Sequence, residues 1–193
     1  MKRIPFPLLL FVLAGAGKLY AQGTTTDGFR VEMLRNWTEQ NVKWIICPAE
    51  KAVFKALTSD TEREAFIDAF WSRRDPDPQT TVNEAKQEHY KRMDFADGHF
   101  RENETRGSLT ERGRVWVMYG PPRHREVHPR TSDNSFSCEI WQYDRTPDIG
   151  RNLDLEFADL HNTGEYRLKV TPEKRDDILT LWPCQEMIAG TLR

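Results

Sequence analysis

Apolar residues in the first half of the chain recur three or four residues apart, which is the spacing of a helix with one buried face. Phe29 and Met33 begin a first helix on this pattern. The apolar residues 42–47 that follow could form a short strand or an extended connection. They end before Pro48, which suits the first turn of a second helix that ends at Leu57.

Two further helices are indicated by capping boxes, in which a hydroxyl side chain and a glutamate three residues later satisfy free backbone N–H groups. Ser59 with Glu62 predicts the start of one helix, and the prolines within residues 76–78 end it. Thr81 with Glu84 predicts the start of the next helix, which runs for roughly five turns. The first half of the chain is therefore predicted to be helical.

From residue 114 onwards the hydrophobic period changes to two, which is typical of strands. Residues 162–164 (Asn-Thr-Gly) are a turn signal that joins the last two strands as a hairpin. A final short helix is predicted from Thr171 through Leu181. The predicted strands are residues 114–119, 138–143, 153–160 and 165–170. The fold class is therefore α+β, with N-terminal helices packed against a small, mainly antiparallel C-terminal sheet of about four strands.

The N-terminus has the pattern of a secretory signal peptide, because a short basic start precedes the apolar residues 4–17. Cleavage after Ala21 fits the preference for small residues, although Ala14 and Ala16 offer an earlier site. The apolar run is shorter than the roughly 20 residues that cross a bilayer as a helix. We therefore expect no stable transmembrane segment after cleavage, and a periplasmic or extracellular location.

Removal of a signal peptide at residues 1–21 leaves a flexible tether at residues 22–28 and a single domain at residues 29–193. The formal net charge of −2 then becomes −5, because the three basic residues of the leader are lost. This balance argues against nucleic acid as a partner. No Walker loop, dinucleotide fingerprint or Gly-x-Ser-x-Gly motif occurs, so no cofactor is expected.

Three cysteines in an exported chain leave at least one thiol unpaired. Their spacing does not determine the pairing, and Cys138 with Cys184 is one option. Cys47, Cys138 and Cys184 are also too far apart in sequence for a Cys-x-x-Cys redox or zinc motif.

His124 and His128 are the pair of histidines with metal-like spacing, with Glu126 between them and Asp133 beyond them in sequence. The prolines around them predict a loop, where a separation of four residues does not ensure a shared face. The catalytic alternative is a metal-dependent hydrolase built on this pair. The favoured interpretation assigns no metal ligand and no catalytic residue.

Several ordered motifs of the chain are more specific together than any one of them alone. Residues 70–78 have the pattern Phe-Trp-x-Arg-Arg-Asp-Pro-x-Pro. This segment resembles the GWxTD-domain family of exported bacterial proteins, and residues 90–100 are similar to that family's Tyr-x-x-Arg-x-x-x-Ala-x-x-x-Phe helix, with one residue fewer between the tyrosine and the arginine. The naming pentapeptide appears as Gly-Ser-Leu-Thr-Glu at residues 107–111, so Ser108 replaces the tryptophan. The matching positions are Arg73, Arg74, Asp75, Pro76, Gly107, Thr110, Arg114, Tyr119, Gly120, Pro121 and Pro122.

The resemblance implies architecture and location rather than a reaction, because the family brings no activity that can be transferred. We therefore expect an exported binding or assembly module of the bacterial envelope with a protein partner. Arg73 and Arg74 could bind an anionic ligand, but internal hydrogen bonds that fix the turn are the favoured use. Residues 107–122 are interpreted in the same way, as a joint between the helices and the sheet.

Overall fold

A computed structural model describes residues 24–132, 135–146 and 150–169. The predicted signal peptide and the predicted final helix lie outside these residues. Within them, five α-helices precede a four-stranded antiparallel sheet, which confirms the α+β class. None of these helices is long and apolar enough to cross a membrane. The elements are α1 Thr24–Gln40, α2 Pro48–Ala56, α3 Asp60–Ser72, α4 Glu84–His99, α5 Glu111–Tyr119, β1 His124–His128, β2 Ser137–Thr146, β3 Gly150–Asp159 and β4 Arg167–Leu168.

The starts of α2 and α3 follow the sequence signals. Pro48 occupies the first turn of α2. Ser59 caps α3, and its hydroxyl accepts a hydrogen bond from the Glu62 N–H at 3.2 Å. α1 begins at Thr24, inside the segment 22–28 that the sequence predicts as a tether.

α4 begins two residues later than the sequence predicts. The side-chain oxygen of Asn83, rather than Thr81, accepts the capping hydrogen bond from the Lys86 N–H at 2.8 Å. The amide of Asn83 also donates to the carbonyl oxygen of Trp71 at 2.7 Å. The predicted Thr81 cap is therefore wrong, because a contact with the end of α3 selects the capping residue.

The predicted strand at residues 114–119 is wrong, because this segment forms α5. The Thr110 hydroxyl caps its first turn, and Gly120, with a φ of 78°, ends it. Val115 and Val117 are both buried, since α5 is covered on more than one side. In a helix that is buried on several sides, apolar residues no longer recur at helical spacing in the sequence. Its β-branched residues then resemble those of a strand.

Two features of the sheet differ from its prediction. β1 occupies the segment that the sequence assigns to a loop, and its residues pair with β2 from His124 opposite Gln142 to His128 opposite Cys138. The prolines flank this strand rather than interrupt it, which is why they are compatible with pairing. β4 is only two residues long.

The other three predicted strands are present as β2, β3 and β4, and together with β1 they form a sheet in the order β1-β2-β3-β4. The turn at residues 162–164 contains Asn162 and Gly164 in the left-handed region, with φ values of 56° and 83°. Leu155 and Phe157 lie on the buried face of β3, as their alternation with acidic residues predicts.

Two apolar clusters form the core. The first lies among α1, α2 and α3, and the second lies between α4, α5 and the sheet. Tyr90 of α4 packs against both. His89, its neighbour, is buried, and this burial lowers the pKa of the imidazole. The first cluster contains Trp37, Val42, Phe54, Phe70 and Trp71.

Candidate functional site

The pentapeptide that carries the family resemblance begins the α4–α5 joint, residues 107–113. A side chain on Gly107 would overlap the Ala96 carbonyl oxygen and lie 2.9 Å from the Asp97 Cα. A side chain on Gly113 would overlap the Gly107 carbonyl oxygen in the same way and lie 2.9 Å from the Ser108 Cα. Glycine is therefore required at both positions, because α4, the 3₁₀ turn at 107–109 and α5 touch backbone to backbone.

The polar residues of the pentapeptide connect the joint to three elements. The Thr110 hydroxyl donates to the Gly107 carbonyl oxygen at 2.9 Å and accepts from the Gly113 N–H at 3.1 Å. The Ser108 N–H donates to Asp97 of α4 at 2.7 Å. The carboxylate of Glu111 accepts the Leu168 N–H of β4 at 2.7 Å. Through these contacts the pentapeptide residues stabilise the fold.

Glu111 offers a direct test of this role. Glu111→Ala should cost about 1–3 kcal/mol of unfolding free energy, because the buried Leu168 N–H loses its acceptor. Hydrogen exchange at Leu168 should accelerate at the same time. Glu104→Ala is the matched control, since Glu104 is an exposed glutamate outside the joint. Equal losses in the two variants would contradict the role.

A buried ionic cluster, which sequence reasoning missed, adjoins the joint. The guanidinium of Arg112 donates to Glu102 at 3.1 Å and to Glu139 at 2.8 Å. Glu139 also accepts from Arg125 and from the Trp141 indole, both at 2.8 Å. Arg112, Glu102 and Glu139 are all buried. One signal in the sequence could have indicated this cluster. Glu139 is a charged residue on the same face of β2 as the apolar Trp141.

The two carboxylates of the cluster have opposite pKa shifts. Burial is the largest influence on Glu102 and raises its pKa above the ordinary value. Burial also opposes ionisation of Glu139, but hydrogen bonds from Arg125 and Trp141, together with the charges of Arg112 and Arg125, outweigh it and hold its pKa below the ordinary value. Every oxygen of both groups accepts a hydrogen bond, including those of Glu102 from the Tyr166 N–H and Arg167. The cluster is therefore arranged to fix charge rather than to move a proton.

The Arg-Arg-Asp-Pro segment at the end of α3 is engaged internally. Arg74 donates to Glu50 at 2.7 Å and its guanidinium lies 3.5 Å from the centre of the Phe70 ring. Arg73 donates to the same carboxylate at 2.9 Å. Asp75 accepts the N–H of Asp77 at 3.2 Å across Pro76. Both arginines thus connect α3 to the start of α2.

The remaining family positions lie within α5 and directly after it. The guanidinium of Arg114 lies 4.5 Å from the centre of the Trp44 ring. Tyr119 packs edge-on against Tyr143, with ring centres 6.2 Å apart. The Tyr143 hydroxyl donates to the Gly120 carbonyl oxygen at 2.9 Å. Pro121 and Pro122 then lead into β1.

The structure brings His124, Glu126 and His128 together on one face of β1. The Nε2 atoms of His124 and His128 lie 3.3 and 3.4 Å from the Glu126 carboxylate. Asp133 lies outside the described residues. Among residues 24–132, 135–146 and 150–169, no group of three histidine, cysteine or carboxylate side chains could hold a metal ion. The histidines therefore share a face, contrary to the predicted loop, without forming a metal centre there.

The state of the cysteines excludes one of the disulfide pairings that the sequence left open. Cys47 is disulfide-bonded and Cys138 carries a free thiol, so the pairing of Cys138 with Cys184 is wrong. Cys184 itself lies outside the described residues. Burial raises the pKa of the Cys138 thiol, which is opposite to the shift of a reactive cysteine.

A groove of about 330 Å³ runs along α1, here called the α1 groove. Phe29 and Met33 lie in it and are 65% and 54% exposed. Its polar wall includes Arg106, which pairs with Asp97 of α4. The full lining is Phe29, Glu32, Met33, Asn36, Gln40, Asn41 and Arg106. None of these is a family-motif position, and the helical spacing of Phe29 and Met33 alone pointed to a buried face.

Comparisons with known proteins agree with the motif pattern. The family model described as the GWxTD domain matches residues 35–179. No curated protein matches the chain, and no solved structure matches it. The matched range contains α2 to β4 and every family-motif position, whereas Phe29 and Met33 precede it.

Proposed function

Because the chain belongs to the GWxTD domain family, we propose that it is an exported binding or assembly module of the bacterial envelope. The observation that carries the binding role is the α1 groove, where two large apolar side chains are exposed next to each other. Contiguous apolar surface of this kind is typical of interaction sites. The family-motif residues make internal contacts instead, as the roles of Gly107, Thr110 and Arg74 illustrate.

Two features support export. The sequence pattern of residues 1–21 is that of a signal peptide. Cys47 is disulfide-bonded, and disulfides persist in oxidising compartments outside the cytoplasm. N-terminal sequencing of the protein from its producing cell should therefore find a chain that begins at Gln22. An intact N-terminus in the cytoplasmic fraction would overturn the export proposal.

The binding role is tested by placing a photo-cross-linking residue at Met33 in the producing cell. We expect one reproducible protein adduct, because Met33 lies in the α1 groove. Val53 of α2 is the matched control, since it is 55% exposed and does not line the groove. The same adducts from both positions, or none from Met33, would contradict a binding role for the groove.

Metal analysis separates this proposal from the hydrolase alternative. The module requires no bound ion, and the described residues offer no three-ligand centre. A stoichiometric divalent ion that is lost in His124→Ala would favour the hydrolase and overturn the module.

A further inference from the structure

We infer that Cys47 forms its disulfide with Cys184, so that a covalent bond ties the chain beyond β4 to the start of α2. The chain contains three cysteines, which are Cys47, Cys138 and Cys184. Cys47 is disulfide-bonded and Cys138 carries a free thiol. Cys184 is therefore the one cysteine of the chain that remains as a partner for Cys47.

The anchor of this bond is a well-connected corner of the fold. Cys47 is only 5% exposed and is the N-cap residue of α2. Its backbone N–H donates to the Glu50 carboxylate at 3.1 Å, and the same carboxylate accepts from Arg73 and Arg74. The end of α3 thus helps to hold Cys47 in place. A cross-link to this corner restricts the part of the chain that carries the second sulfur atom.

The free thiol is poorly suited to rearrange the bond. Cys138 lies in β2, where it pairs with His128 of β1 and Ala158 of β3. Burial raises the pKa of its thiol, so little of the nucleophilic thiolate forms at neutral pH. Disulfide exchange requires a thiolate as the attacking group. The disulfide of Cys47 is therefore not expected to shift to Cys138.

The bond supplies a second connection between the two apolar clusters, in addition to α4. Cys47 directly follows Ile45 and Ile46, which pack against the first cluster, and Leu168 of β4 belongs to the second. Residues 169–183 separate Leu168 from Cys184 in sequence. The loop that the disulfide closes contains α2 to β4 and every family-motif position. The family domain is therefore a covalently closed unit.

Closure of this loop is an oxidation. One S–S bond forms between two thiols, which lose two protons and two electrons to the disulfide of an oxidoreductase or of glutathione. Such oxidants act outside the cytoplasm, where thiols are not kept reduced. With the proposed export, the loop is therefore open in the cytoplasm and closes after the chain has crossed the membrane. This timing rests on the proposed export, whereas the pairing itself does not.

Peptide mapping under non-reducing conditions, after refolding of the chain in a glutathione buffer, tests the pairing. Trypsin should release residues 44–51 joined to residues 176–193, and reduction should separate the two peptides with a gain of two hydrogens. Thiol titration of the unfolded chain should find one free thiol before reduction and three after it. A Cys47 peptide that is joined to Cys138, joined to a second chain or free of any bond would overturn the proposal.

Melting temperatures with and without a reductant test the effect of the bond. Reduction should lower the melting temperature of the wild type by at least about 5 °C, because the unfolded chain regains the freedom of a loop of about 140 residues. Cys138→Ser is the matched control and should keep this response, whereas Cys184→Ser should lack it. A response in Cys184→Ser, or none in the wild type, would contradict the closure.

The outcome is separable from the proposed function. Neither experiment involves the α1 groove, so a failed pairing leaves the cross-linking test at Met33 unaffected. Refolding in glutathione supplies the oxidant directly, so the pairing is also tested independently of export.

Discussion

Gly113→Ala should destabilise the protein by at least about 3 kcal/mol, and Gly107→Ala should do the same. In each case the new methyl group would overlap a backbone carbonyl oxygen, which belongs to Ala96 for Gly107 and to Gly107 for Gly113. Backbone cannot rotate out of the way as a side chain can, so the 3₁₀ turn must move away from α4 in Gly107→Ala and from α5 in Gly113→Ala. The gain in helix propensity from alanine, about 1 kcal/mol, is too small to offset this cost.

Gly98→Ala is the control for this pair. Gly98 lies in α4, like the backbone that Gly107 approaches, but no heavy atom lies within 4 Å of its Cβ position. Its substitution should be neutral or stabilise the protein by up to about 1 kcal/mol. Denaturant unfolding followed by circular dichroism measures all three variants. If Gly113→Ala is as stable as the wild type, the close contact between Gly113 and the Gly107 carbonyl oxygen does not exist as described.

Arg112→Met should cost about 3–5 kcal/mol at neutral pH, because it leaves two buried carboxylates without their shared cation. Methionine keeps most of the length of the side chain, so the loss reflects charge more than volume. Arg112 is the member of the cluster that contacts both Glu102 and Glu139. Its removal therefore weakens the contact between α5, the end of α4 and the sheet together.

The pH dependence identifies the cause of this loss. In the wild type the pKa of Glu139 is lowered, so its carboxylate contributes stability above its ordinary pKa, and this stability is lost as the pH falls through the folded-state value. In Arg112→Met both carboxylates lose the favourable charge of Arg112, so ionisation of each stabilises the folded protein less than in the wild type, and protonation removes this difference. The difference between the two proteins should therefore shrink as the pH falls from 7 to about 4.

Arg123→Met is the matched control, because Arg123 forms an ion pair with Asp144 and is 64% exposed. Exposed pairs contribute less than about 1 kcal/mol, so this variant should remain close to the wild type at each pH. A similar loss in both variants would mean that burial of the Arg112 cluster has no special effect.

Local signals predicted those parts of the fold in which neighbouring residues determine the structure. The capping box of Ser59 and the first-turn proline of α2 needed no distant partner. Thr81 failed as a cap because Asn83 reaches Trp71, and residues 114–119 failed as a strand because α5 is buried on several sides. Burial and tertiary hydrogen bonds are not encoded in a local window.

The candidate site shows the same limit. The sequence marked Gly107 and Thr110 as positions of a joint, and the structure gives each a definite contact. The Arg112 cluster joins residues that are far apart along the chain, so spacing could not reveal it. The exposed face of α1 was also missed, because an apolar residue at helical spacing is normally expected to be buried.

The serine at position 108 bears on which residues of the family pentapeptide the joint requires. Ser108 is buried, and its carbonyl oxygen accepts the indole N–H of Trp44 at 2.8 Å. An indole is therefore present next to the joint even though position 108 lacks one. The glycine and threonine positions keep their backbone roles without a tryptophan side chain at position 108.

α4 belongs to both cores, and this has a consequence for the way the protein opens. Tyr90 packs against both clusters, whereas Met93 and Ala96 belong to the cluster at the sheet. Loss of either core would expose part of the helix on which the other core is built. Partial opening is therefore costly on both sides, and thermal melting should proceed as one cooperative transition in which helices and sheet are lost together.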